Sequence, residues 1–200
     1  MSGTPLSPAA SLYATVEDLK QSLGITDSTD DTMLDAILAA VSRQIDQYTY
    51  RRFYATTETR FYTARRVSDV IIDDCLSITT LATDADGDRV YEKTWSATDF
   101  DLYPYNATPY TRVEATVKGA YLFPANVAKG VKIIGSFGYS ATVPEPVNRA
   151  CLIQAARLYK RKDALFGVMG SAEMGQLLVI PKMDPDVKLL LSGYIKPAFG

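Results

Sequence analysis

The hydrophobic period of this 200-residue chain changes twice, and that limits what it can fold into. Towards both ends, apolar residues recur at helical spacing. Between them, from residue 53 to 142, they fall in short Thr-, Val-, Ile- and Tyr-rich runs separated by turn residues. A helix-period segment does not rest as a strand, nor the reverse. The order predicts an α+β fold, a helical bundle of the N- and C-terminal blocks with an inserted antiparallel β-domain. The expected organisation is a flexible tail over 1–12, a helical domain from 13–52 and 143–200, and the insert over 53–142.

In the first block Thr15 is placed as an N-cap, with Glu17 and Asp18 in the first turn and Gly24 at the C-terminal glycine position. Asp27 to Asp31 then cap a longer helix. On it Met33, Leu34, Ile37, Leu38, Val41, Ile45 and Tyr48 share an arc of about 140° at ~100° per residue, interrupted only by Gln44. Pro144 and Pro146 return the chain to helix, expected to run to about Phe166. There Val147, Cys151, Leu152, Ala155, Leu158, Tyr159, Leu165 and Phe166 share one arc; Ala150, Ile153 and Ala164 lie across from it beside Arg157, as for a helix touching two neighbours. After a glycine-punctuated loop, 167–175, and an extended apolar run, 177–180, Asp184 and Pro185 open a last helix through Leu189, Leu190, Leu191, Tyr194 and Ile195. Pro197 stops it.

In the insert, strands are expected at residues 60–63, 70–72, 78–81, 89–91, 100–103 and 131–134. The Asp86-Gly87 pair within Asp84 to Asp88 reads as a tight hairpin. An EF-hand loop would need glycine at the sixth position and glutamate at the twelfth, which here are Arg89 and Trp95.

The chain has no histidine, so Ser-His-Asp triads, Cys-His pairs and imidazole metal sites are excluded. Two distant cysteines, Cys75 and Cys151, cannot form a tetrahedral sulfur site and read as small buried hydrophobes. Gly167, Gly170 and Gly175 lack the Gly-Lys-Ser/Thr ending of a phosphate loop. Asp73, Asp74, Asp99 and Asp101, in a chain with 13 tyrosines, leave a glycan-binding module or a glycan hydrolase as alternatives, although nothing places a carboxylate pair across a substrate. No catalytic residue, metal site or cofactor is expected. The tail has neither the basic nor the apolar region of a signal peptide, and no stretch is long enough to span a membrane.

Net charge is −2, which argues against bulk adhesion to nucleic acid, yet the charge is segregated. Residues 15–48 hold seven acids (Glu17, Asp18, Asp27, Asp30, Asp31, Asp35, Asp46) against Lys20 and Arg43, net −5. Residues 147–166 hold Arg149, Arg157, Lys160, Arg161 and Lys162 against Asp163, net +4. Such blocks could pair internally or head-to-tail between copies. Arg149, Ile153, Arg157, Lys160, Arg161 and Lys162, with Asp35 and Asp46, are the candidate inter-subunit residues.

The order of these features resembles the tailed-phage head-tail connector (adaptor) family, in a long form with a β-insert. The resemblance lies in Tyr13 to Lys20 with Leu23-Gly24-Ile25, in Ile45 to Phe53, in Val143 to Ala150, in Ala155 to Val168, and in Asp184 to Val187 with Leu190 and Tyr194. It implies a non-catalytic dodecameric ring beneath the portal of a virion assembled in the host cytoplasm. The ring would extend the DNA channel without binding duplex DNA specifically, touch no membrane, and present a surface to the next connector, stopper or tail terminator protein. It also implies that the C-terminal segment docks on the portal, at Leu189, Leu190, Tyr194, Ile195, Pro197 and Phe199. Another tail or baseplate component is the structural alternative.

Overall fold

The computed structural model describes residues 11–161 and 183–197. The fold is α+β, as expected: among the described residues there are four α-helices and a six-stranded antiparallel sheet. The chain divides into two compact units, 1–51 with 143–200, and 52–142. No helix of the described residues is long and apolar enough to cross a membrane.

In the helical unit, α1 (Val16–Leu23) starts where Thr15 Oγ1 accepts from the Asp18 N–H at 3.1 Å. It ends at Gly24, whose φ of 72° suits a residue without Cβ. Helix α2 (Asp31–Thr49) buries Leu34, Leu38, Val41 and Ile45. Met33, expected on that face, is 43% exposed, whereas the polar Ser42 and Thr49 are buried. Both hydroxyls are satisfied by the preceding turn, donating to Leu38 O and Ile45 O respectively. Ser42 Oγ also accepts from the Tyr13 N–H. Tyr13 is buried, and its hydroxyl bonds to Asp46.

Helix α3 (Glu145–Lys160) packs against α1, α2 and α4. Its buried residues are Val147, Ala150, Cys151, Gln154 and Ala155, so Ala150 belongs to the core rather than to an opposite strip. The residues expected to carry this helix from 162 to 166, the glycine-punctuated loop and the run 177–180 lie outside the described residues. Helix α4 (Pro185–Leu191) is capped by Asp184 Oδ1, which accepts from the Asp186 N–H at 2.9 Å. A single 3₁₀ turn, Ser192–Tyr194, follows.

The β-unit holds β1 (Thr56–Tyr62), β2 (Asp69–Thr83), β3 (Lys93–Thr94), β4 (Phe100–Tyr103), β5 (Tyr110–Ala115) and β6 (Val131–Phe137). The strand order is β1-β6-β2-β5-β4, with β3 paired to the end of β2. The runs at 70–72 and 78–81, expected as separate strands, are halves of β2. Its first half pairs with β5 and its second with β6, and register irregularities let one strand change partner. Residues 89–91 are loop. The expected tight hairpin is a longer connection between β2 and β3, folded around a buried carboxylate: Asp84 accepts from the Gly87 and Arg89 N–H groups at 2.7 and 2.9 Å.

The core of this unit gathers Val70, Ile72, Cys75, Leu81, Val113, Val131, Ile133 and Phe137 from the sheet with Ala64, Trp95 and Phe123 from loops. Trp95 stacks on Phe123 at 4.5 Å and donates from Nε1 to Thr83 Oγ1. Gly135 sits opposite Ile78 where β6 pairs with β2 between two register irregularities; a Cβ there would lie 2.3 Å from the Ser77 carbonyl oxygen.

Candidate functional site

The candidate assembly residues all lie in the helical unit, where α3 positions the C-terminal segment. Met183, Val187 and Leu191 are buried, each contributing roughly 1.5–3 kcal/mol of apolar burial. Asp184 both caps α4 and ties the segment to α3 twice. Its Oδ1 caps α4, its Oδ2 accepts from Arg157 Nη1 at 3.1 Å, and its N–H donates to Gln154 Oε1 at 3.2 Å. Gln154 is buried and donates from Nε2 to Gln44 Oε1 on α2 at 3.4 Å. Beyond the 3₁₀ turn, the Lys196 N–H donates to Thr49 O at 2.8 Å.

A segment tethered in this way presents its other side outwards. Leu189 is 75% exposed and Ile195 38%; Pro197 is exposed, and Leu190 and Tyr194 are half-buried. Phe199 lies outside the described residues. The leucines divide sharply, Leu191 into the core and Leu189 onto the surface. An exposed leucine on a seven-residue helix does nothing for the folding of its own unit.

The structure also sorts the candidate charges. Arg157 is engaged within its own unit by Asp184. Asp46 bonds to the Tyr13 hydroxyl and pairs with Arg43 at 3.3 Å, Lys20 pairs with Asp31 at 2.8 Å, and the Tyr159 hydroxyl donates to Asp30. Arg149, Lys160, Arg161, Glu17 and Asp35 make no ion pair among the described residues. Ile153 is half-buried on α3, and Lys162 lies outside the described residues. Composition could not show which charges are used internally, because Arg157 and Asp184 meet only through packing.

The carboxylates of the β-unit build local structure. Asp73 accepts from Arg60 Nη1 at 2.8 Å, and Asp99 accepts from the Ser96 and Ala120 N–H groups at 2.8 and 3.0 Å. Asp84, Asp86 and Asp88 have carboxylate oxygens within 4.8 Å of one another, but those of Asp84 are already taken up by backbone N–H groups. Burial pushes the Asp84 carboxyl up, and the Gly87 and Arg89 N–H groups overcome it, leaving the group below the usual carboxylate range. Burial pushes both the Cys75 and the Cys151 thiol up to about 11, so neither is a thiolate nucleophile near neutral pH.

Residues 13–80 match the family model of the phage gp6-like head-tail connector proteins. This bears out the resemblance in the first helical block and extends it into β2. No curated protein matches the chain significantly in sequence. Its fold is that of chains from gene transfer agent (GTA) particles. A chain from the neck of an empty GTA particle, computed with C6 symmetry, has a TM-score of 0.60 at 17% identity, covering 100% of this chain and 97% of that one. One from the neck of a native GTA particle, computed with C12 symmetry, has a TM-score of 0.59 at 19% identity, covering 99% and 96%. A third, from the virion of a native GTA particle, has a TM-score of 0.58 at 19% identity, covering 92% and 90%. These likenesses include the β-unit, so the insert is part of a known neck fold.

Proposed function

We propose that this chain is a structural head-tail connector of a tailed phage or phage-like particle, one copy of a ring in the neck beneath the portal. The match of residues 13–80 to the head-tail connector family carries this reading, and the neck fold across the full chain supports it. Family and fold together point to a structural rather than an enzymatic role. The C12 symmetry of the native-particle neck favours twelve copies.

The mechanism is geometric. The buried side of α4 and the Asp184 ties hold the C-terminal segment in place, and Leu189, Ile195 and Pro197, with parts of Leu190 and Tyr194, meet the portal. The side away from the portal receives the next connector, stopper or tail terminator protein. Duplex DNA slides through the ring, so the lining avoids strong phosphate contacts. The basic residues of α3 therefore belong at protein interfaces and not in the channel.

The test is to mix the protein with its portal and examine the product by negative-stain imaging and native mass spectrometry. A ring seated on the portal is the expected result; no portal-bound ring at any stoichiometry would overturn the reading. Deleting residues 196–200 should weaken attachment while far-UV circular dichroism stays unchanged, because the buried residues of α4 are retained. Particle assembly at the normal level after that deletion would refute the docking assignment.

A further inference from the structure

Beside the N-terminus of α1 the helical unit carries an open groove of about 480 Å³. Leu12, Val16 and Val143 line it together with Asn148, Glu17 and Asp35. Glu17 and Asp35 are exposed and have no cationic partner among the described residues. An apolar floor with two uncompensated carboxylates fits a partner that brings an aliphatic side chain flanked by cations.

The same unit displays such a surface elsewhere. On the solvent side of α3, Arg149, Ile153 and Lys160 fall within about 40° of one another at ~100° per residue, and Arg161 follows in the last turn. Among the described residues these three bases make no ion pair, whereas Arg157 on the same helix is engaged by Asp184. Arg149 starts its turn next to Asn148 of the groove, yet makes no ion pair with Glu17 or Asp35 of its own chain. The far end of α3 lies instead by Asp30, through Tyr159.

We infer that the groove of one copy receives the C-terminal half of α3 from the next, with Lys160 and Arg161 meeting Glu17 and Asp35, and Ile153 covering the apolar floor. This rests on the connector reading above and gives its ring contact a chemistry. Groove and α3 surface are different patches of one molecule, so the contact is heterologous. Each copy donates once and receives once, and the chain of contacts closes into a ring when the rotation per copy divides a full turn. A two-fold dimer would instead need groove and α3 surface of both copies to meet reciprocally in one interface, leaving no free patch to propagate a ring. Because the pairs lie at a rim open to solvent, assembly should weaken with salt.

The experiment uses the full chain with its portal, reading ring formation by native mass spectrometry at graded protein concentrations. Lys160→Glu with Arg161→Glu should raise the concentration for half-assembly by about tenfold or more, as should Glu17→Lys with Asp35→Lys. The four changes together should restore assembly towards the unsubstituted level. Intact rings in both double variants, or no recovery in the combined one, would overturn the pairing while leaving the connector reading standing. Absence of rings from the unsubstituted protein would instead count against the connector reading. A second readout does not depend on reversed charges: Asp35→Cys with Lys160→Cys should give an oxidation-dependent ladder of covalent oligomers, since the two native thiols are buried. Monomer alone after oxidation of assembled rings also rejects the contact.

Discussion

Replacing Asp184 by alanine removes two side-chain interactions at one point, and the structure sets their sizes. The first is the N-cap of α4, where loss of an aspartate cap costs about 1 kcal/mol. The second is the contact with Arg157, whose two side chains are 18% and 26% exposed. That places it between an exposed ion pair, worth about 0–1 kcal/mol, and a buried one, whose disruption costs about 3–5; about 1–2 kcal/mol is reasonable. A helix of seven residues has no stability of its own, so the whole cost of about 2–3 kcal/mol falls on the docking of α4. Hydrogen exchange by mass spectrometry should show amides of 186–191 exchanging roughly 30- to 160-fold faster than in the unsubstituted protein. Amides of α1 and of the β-unit should change little. Asparagine at this position keeps a good cap but lacks the charge, so Asp184→Asn should cost only about 1–2 kcal/mol. Equal effects of the two substitutions would remove the cap from the explanation. Unchanged exchange over 186–191 in Asp184→Ala would refute the reasoning as a whole, and with it the claim that Asp184 holds the docking segment.

Both thiols are raised to about 11 in the folded state, against about 8.5 when exposed. Between pH 9 and 11 the unfolded chain therefore releases protons that the folded one keeps. Stability should fall as pH rises through that window, and should be insensitive to these groups below pH 8; a melting temperature that rises from pH 9 to 11 contradicts this. In the same range, alkylation of Cys75 and Cys151 should follow unfolding and not precede it. Gly135→Ala drives a Cβ against the Ser77 carbonyl where β6 pairs with β2, and thermal unfolding should register a loss of about 3 kcal/mol or more. A loss below 1 kcal/mol means that the strands separate there more easily than their pairing indicates. The portal-bound ring and the reversal of its charge pairs are the two tests of assembly.

Much of the fold was legible because it is local. Thr15 and Gly24 cap α1 through bonds spanning three to five residues, and the burial of Leu34, Leu38, Val41 and Ile45 follows from the period of one helix. Errors arose where one residue answers to a distant one. Met33 fits the apolar arc of α2, but the described residues leave it 43% exposed. Gln154, which the sequence did not single out, lies in the core because Gln44 and the Asp184 N–H satisfy its amide. β2 reads as two strands because a partner change in its middle leaves no mark in hydrophobic alternation.

The amino-acid sequence alone determined the division into helical ends and β-insert, the absence of imidazole chemistry, and the segregation of acids from bases. All three follow from residue type and from spacing along the chain. Tertiary structure alone decided which charges remain available. Arg157 and Asp46 are spent inside the fold, while Arg149, Lys160, Arg161, Glu17 and Asp35 make no ion pair among the described residues. An ion pair depends on a few ångströms of separation between side chains that can be 27 residues apart, as Arg157 and Asp184 are, and only packing sets that distance.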